Sequence, residues 1–384
     1  MEVYLDNAST TFPKPKIVVD SIYNYLTNIG GNANRSIYSN SLESSRQLLI
    51  AREKIATLFN FDKSENVIFT SNITTSLNYL IRGIAKPGDH IITSSMEHNS
   101  VLRPLTDCKN KFNIELDIIE ADTKGFININ DIKKLVKTNT KAIIISHASN
   151  VTGSIQNIES IGSFCSDSNI LFIVDSAQSA GVLDIDMKKI KANAIAFTGH
   201  KSLLGPQGIG GFIIDDKCNN LCDSIISGGT GSLSHSLDQP TFLPDKFESG
   251  TMNMPGIVGL SNAIDYINTI GLNNIKEKNK NLRNHLINGL MNIDGIDVYG
   301  DLTSNNATTC VSFNYKDIDP SEIAFILDEN GIKSRAGLHC APLAHKSIHT
   351  FPKGTVRLSI SHFTTKEELD YTLSILNKIN TFLF

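Results

Sequence analysis

Between residues 67 and 215 the chain passes through seven short apolar segments. They are "VIFT" (67–70), "HIITSS" (90–95), "IELDIIEA" (114–121), "AIIISH" (142–147), "ILFIVD" (170–175), "AIAFTG" (194–199) and "GIGGFIID" (208–215), separated by stretches of helical character. Most are continuously apolar rather than alternating, so the strands they form must be covered on both faces. A sheet between two layers of helices meets that demand, and strands joined through helices run parallel. The expected architecture is α/β, with a mostly parallel seven-stranded sheet.

After "MPGI" at 254–257 the texture changes to a long helical stretch, "VGLSNAIDYINTIGLNNIKEKNKNLRNHLINGLM". The strand-like segments "TTCVSFNY" and "TVRLSISH" follow. A last helix opens at Thr364 through the capping box "TTKE" and carries Leu369, Leu373, Leu376 and Ile379 on one face. This predicts a second, smaller α+β domain. A chain of 384 residues with 40% hydrophobic content can bury a core for each. The expected division is a large domain at 14–255 and a small domain made of 1–13 and 256–384, with no repeat or low-complexity linker between them.

A net charge of -4 and the lack of any Lys/Arg run argue against a nucleic-acid partner. No stretch approaches the roughly 18 apolar residues of a membrane span. The opening "MEVYLDNASTTFPKPK" has no charged segment followed by an apolar one, so a cytoplasmic location is expected. Six cysteines in such a chain are expected as reduced thiols. Cys218 and Cys222 have no second Cys/His pair nearby, so they read as structural, and no metal site is expected. The glycine runs "GPQGIGG" and "GGTGS" match neither a dinucleotide fingerprint nor a phosphate-binding P-loop. They read as turns, with Gly205 and Gly208 reversing the chain after Lys201.

Ligands of such sheets collect beyond the carboxyl ends of the strands. Those ends carry Thr74 and Thr75, His98, Asn150, Asp175 with Gln178, and Thr198 with His200 and Lys201. One chemical demand unites the set, a pyridoxal phosphate site. A lysine amine with a lowered pKa can join covalently to the cofactor's aldehyde. Asp175 can keep the pyridine nitrogen protonated, so that the ring acts as an electron sink. Thr74, Thr75 and the amides opening the following helix can hold a phosphate. Each position also has a plainer reading: Thr74, Thr75, His98 and Asp175 as helix or strand-end caps, Asn150 as a turn residue, Arg357 as a structural ion pair.

The motifs "YLDNASTT", "MEHNSV", "SHASNVTGSIQ", "VDSAQSAG", "FTGHKSLLGPQGIG", "FESGTMNMPGI" and "RAGLHCAPLAH" together resemble the class V, fold-type I pyridoxal-phosphate enzymes of the cysteine desulfurase and selenocysteine lyase group. The resemblance covers nearly the whole chain. It implies that Lys201 binds the cofactor covalently, His98 stacks on the ring, Asp175 pairs with the ring nitrogen and Gln178 contacts the ring hydroxyl. It assigns the phosphate to Thr74, Thr198 and His200, with Thr251 reaching the phosphate of the other subunit in a homodimer. Asn150 and Arg357 would bind the substrate carboxylate, with Arg335 as a further anion contact.

In the same resemblance Cys340 is the nucleophile. It would take sulfur from L-cysteine as a persulfide, release L-alanine and pass the sulfur, or selenium from selenocysteine, to an acceptor protein. His339 and Arg335 are expected to place positive charge beside the thiol. Three positions depart from the group's pattern: Leu338 and Tyr38 stand where histidines are common, and Thr75 replaces a frequent glutamate. Selenocysteine lyase activity, or a class V aminotransferase or β-lyase that uses no thiol, are the alternatives.

Overall fold

The computed structural model of the chain describes residues 1–34, 36–302 and 306–379. In chain order the strands are β1 (Val3–Tyr4), β2 (Val67–Thr70), β3 (His90–Ser94), β4 (Glu115–Ile119), β5 (Thr140–Ser146), β6 (Leu171–Asp175), β7 (Ala194–Thr198), β8 (Gly210–Ile214), β9 (Ile296–Tyr299), β10 (Cys310–Tyr315), β11 (Ile332–Lys333), β12 (Arg335–Gly337) and β13 (Thr355–Ser359). Seven of them form one sheet in the order β2-β8-β7-β6-β5-β3-β4. It is the mostly parallel seven-stranded sheet expected from the apolar runs, with β8 antiparallel to both its neighbours.

Every residue of β3, β6, β7 and β8 is buried, as continuous apolar runs require. One face of the sheet packs under helices Ser39–Leu58 and Met254–Ile270, the other under Ile73–Ile84 and Asn99–Phe112. Cys218 and Cys222 are buried in the core on that second face, among Tyr79, Leu80 and Phe247. Of the six cysteines, Cys340 alone is exposed, and all six are free thiols.

A second, antiparallel sheet runs β12-β13-β10-β9, and β1 pairs with β11 in parallel beside it. Arg335 on β12 lies directly opposite Arg357 on β13. Residues facing each other across antiparallel strands project from the same face, so the two guanidiniums come together. The long helical stretch after residue 254 is broken at Gly271, where φ is +85°, into Met254–Ile270 and Leu272–Met291.

The last helix is Lys366–Asn377, one residue later than the sequence suggests. Its capping box joins Thr365 to Glu368 rather than Thr364 to Glu367. The Thr364 hydroxyl instead accepts from the Ser361 N–H. Among the described residues no helix is long and apolar enough to cross a membrane.

Candidate active site

A cleft of about 230 Å³ opens at the carboxyl ends of β2, β3, β5, β6 and β7 and is closed from the other side by the small sheet. Thr74, His98, Asn150, Asp175, Gln178, Thr198, His200, Lys201, Arg335 and Arg357 all line it. These residues span 284 positions of the chain, and the parallel strand order brings their ends together.

Lys201 sits just past β7, in a turn held by Leu204 N–H donating to Lys201 O and Gly205 N–H donating to Gly199 O. Gly208 provides the left-handed residue of the reversal, φ +79°. Gly205 serves by close approach instead, since a Cβ there would meet Leu260 at 3.1 Å. Burial pushes the Lys201 pKa down, the Asp175 carboxylate pulls it back up and the Arg357 charge adds to the fall. Burial raises the Asp175 pKa, against the Ala177 N–H, which donates to its Oδ1 at 2.8 Å, and the charge of Lys201. Burial in the cleft thus disfavours either charge alone, and each charge favours the other.

His98 caps the helix Asn99–Phe112 and faces the cleft as well. Its Nδ1 accepts from the Ser100 N–H at 3.0 Å, which places the ring proton on Nε2. Burial first, then the charges of Lys201, Arg335, Arg357 and Arg103, lower its pKa to about 4. The ring is a neutral donor-bearing imidazole at ordinary pH.

Also lining the cleft, Thr198 Oγ1 and His200 Nδ1 are buried and have no hydrogen-bond partner among the described residues. Polar atoms left so are costly unless a ligand satisfies them. A hydroxyl and an imidazole, with Thr74 at the opening of helix Ile73–Ile84, suit the acceptor oxygens of a phosphate. With a buried lysine and carboxylate in the same cleft, the donor set fits pyridoxal phosphate. Among the described residues no group of three His, Cys, Asp or Glu is placed to hold a metal ion.

Arg357 is 1% exposed. Its guanidinium donates to Asp6 Oδ1 at 2.8 Å, Ser9 Oγ at 3.0 Å and Asn150 O at 3.0 Å, leaving Nε without a partner. Asn150 itself donates to His339 O at 2.7 Å. Gln178 donates to Ala8 O at 3.0 Å.

Three expected residues do not line the cleft. Thr75 spends its N–H on Asn72 Oδ1 and its hydroxyl on Ser71 and Asn72. Thr251 is exposed at the outer surface. Cys340 is exposed at the mouth, where Arg335 donates to its sulfur at 3.6 Å. Its neighbour His339 supplies no positive charge, contrary to expectation: burial, then the charge of Arg357, takes its pKa down to about 2, and Nε2 is engaged by Thr355. Consecutive left-handed residues at His339 (φ +48°) and Cys340 (φ +58°) turn the thiol outward, an arrangement non-glycine residues seldom adopt.

The residues that sequence reasoning missed lie in the N-terminal arm. Ser9 bridges Asp6, Arg335 and Arg357. Thr10 and Thr11 donate to His200 O, Thr11 also to Lys201 O, and Lys14 to His200 O. The signal was present in "DNASTT", three hydroxyls and a carboxylate in a segment without periodicity.

Comparison with known proteins identifies the family. The profile of the class-V aminotransferases matches residues 3–372. A probable cysteine desulfurase of Methanothermobacter thermautotrophicus is 35% identical over 98% of this chain and 94% of its own length. The cysteine desulfurase IscS of Buchnera aphidicola is 35% identical over 98% and 92%. The apo structure of a cysteine desulfurase from Thermococcus onnurineus superposes with a TM-score of 0.93 at 32% identity, covering 98% of this chain and 94% of that one.

Proposed function

The chain belongs to the class-V aminotransferase family, among its cysteine desulfurases, and from that premise we propose that it converts L-cysteine to L-alanine with pyridoxal phosphate and takes up the sulfur on Cys340. The observation that carries this reading is the buried Lys201 amine and Asp175 carboxylate lining one cleft with the unpartnered Thr198 Oγ1 and His200 Nδ1.

When bound, pyridoxal phosphate supplies an electron sink that makes the Cα–H of an attached amino acid acidic. Lys201 would hold it, and its amine would serve as the base for that proton. Asp175 would keep the ring nitrogen protonated and Gln178 would contact the ring hydroxyl. Thr74, Thr198 and His200 take the phosphate. His98 covers the ring, and its Nε2–H can pass a proton to the departing product. Arg357, held by Asp6 and Ser9, presents Nε to the substrate carboxylate together with Asn150 and Arg335. Thr75 shapes the helix start that receives the phosphate.

The Cys340 sulfur attacks the substrate sulfur, and the new S–S bond forms as the Cβ–S bond breaks. The electron pair stays with the carbon skeleton, which is protonated to alanine. Cys340 is left as a persulfide for an acceptor protein. Selenocysteine is a second substrate, favoured by the position of Cys340 outside the cleft lining, because a better leaving atom needs the thiol less.

A homodimer completes the site in this reading, with Thr251 of one copy turned to the phosphate of the other. Exposed Val19, Tyr23 and Leu26, on one side of the first helix and its extension, suit such a contact. A cytoplasmic setting suits the six free thiols.

The test incubates the protein with L-cysteine or L-selenocysteine and quantifies alanine with sulfide or selenide. Wild type is expected to act on both, Cys340→Ala to lose the reaction with cysteine while keeping that with selenocysteine, and Lys201→Ala to lose both. Full desulfuration by Cys340→Ala would remove the persulfide step.

A further inference from the structure

The loop that carries Cys340 runs from β12 to the short helix Pro342–Ser347, and three of its successive carbonyls each accept a hydrogen bond. Leu338 O accepts from the Ala341 N–H at 2.8 Å, within the loop itself. His339 O accepts from Asn150 Nδ2 at 2.7 Å, and Cys340 O from the Asn99 N–H at 2.7 Å. Asn150 follows β5 and Asn99 opens the helix after β3, so both outside donors come from the rim of the large sheet.

His339 and Cys340 are consecutive left-handed residues, and such a pair persists only where its surroundings over-determine it. Those surroundings are the two carbonyl contacts, together with Thr355, which engages His339 Nε2. Asn99 uses its backbone N–H, whereas Asn150 contributes a buried side chain. The amide nitrogen of Asn150, not its oxygen, must face His339, because a carbonyl can only accept. A carboxamide nitrogen bears two hydrogens, so the one spent on His339 leaves another for the cleft that Asn150 lines. Its backbone carbonyl meanwhile accepts from Arg357 at 3.0 Å. One residue thus touches both the arginine of the cleft and the peptide bond that joins His339 to the exposed thiol's residue.

We propose that Asn150 is a positioning residue for Cys340: by holding the His339–Cys340 peptide it tethers the loop at the cleft mouth, where the thiol meets a substrate bound at Arg357. Without that bond a buried carbonyl loses its donor, and the left-handed pair is free to relax and carry the thiol away from the mouth. The role in sulfur transfer rests on the cysteine desulfurase reading above; the tether itself does not.

The test measures hydrogen exchange of the full chain at single-residue resolution, for wild type and Asn150→Ala. The Asn99 amide stands in the first turn of its helix, without an intrahelical acceptor, so its protection reports the loop. In the variant the Asn99 and Ala341 amides should exchange about tenfold faster, while Val101, bonded to His98 O, keeps its rate. Unchanged rates at Asn99 and Ala341, or an equal acceleration at Val101, overturn the proposal. Should Asn150→Ala not fold, Asn150→Asp, of the same shape but without the N–H, decides it at the same amides. Steady-state kinetics with L-cysteine separates the tether from carboxylate binding: Asn150→Ala should lower kcat by about tenfold, and a rise in KM alone overturns the proposal. If wild type releases no alanine from L-cysteine, the cysteine desulfurase reading falls while the exchange rates still decide the tether.

Discussion

One terminal nitrogen of Arg335 donates to the Cys340 sulfur at 3.6 Å while the other donates to Ser9 Oγ at 3.1 Å. A cationic donor aimed at sulfur stabilises negative charge developing there. Arg335→Leu is expected to slow alkylation of Cys340 by iodoacetamide at neutral pH by about twofold to fivefold, a modest factor because the pair is solvent-exposed. Mass-spectrometric quantification of the modified peptide measures it. An unchanged rate would mean that Arg335 serves only Ser9.

Ser9 is hydrogen-bonded to Arg335, Arg357 and Asp6. Hydrogen bonds to charged groups contribute about 1.5–3 kcal/mol. Ser9→Ala should therefore raise KM for L-cysteine about tenfold with little change in kcat. Steady-state kinetics gives the split, and a loss confined to kcat would place Ser9 outside carboxylate binding.

Arg357 and Asp6 form an ion pair whose arginine is 1% and whose aspartate is 22% exposed. Removing one partner of a buried pair strands the other charge. Asp6→Asn should destabilise the fold by about 1–3 kcal/mol, less than a fully buried pair because Asp6 is partly solvated. The urea midpoint reports it, and a shift below about 0.5 kcal/mol would show that the pair carries no stability.

His98, His147, His200 and His345 are held neutral by burial at about 4, against 6.5 in the unfolded chain. Between these values the unfolded chain binds more protons, so stability falls as pH drops from 6.5 to 4 and the loss is then complete. Glu97 acts in the opposite sense. Raised to about 7 from 4.5, it binds its proton first in the fold, so acidification through that window is favourable to folding. Four histidines outweigh one glutamate, and urea midpoints should decline steeply below pH 6.5. His147→Gln should reduce the loss at pH 4 by on the order of 2–3 kcal/mol. An identical pH slope in the variant would refute the assignment.

Much of this arrangement is legible in the chain. Strands such as "ILFIVD" are continuously apolar because both faces are covered, and parallel order alone brings Asp175, Lys201 and His98 to one rim. The capping box slipped by one residue because "TTKEE" satisfies the pattern twice, and only packing selects Thr365. His339 was expected to be cationic because sequence carries no measure of desolvation. Ser9 was missed because its two arginine partners lie more than 320 positions away and no local pattern announces such a contact.

The N-terminal arm has a consequence for how the protein is made. Asn7 donates to Ser359 O, a partner 352 residues away, and Thr11 holds the carbonyl of Lys201. On the ribosome, Asp6, Asn7 and Ser9 lack their partners on β13 until that strand has emerged, although the large sheet is complete long before. The nascent chain therefore carries an unfinished pocket almost to the end of translation, and the two arginines acquire their shared serine only when both ends of the polypeptide meet.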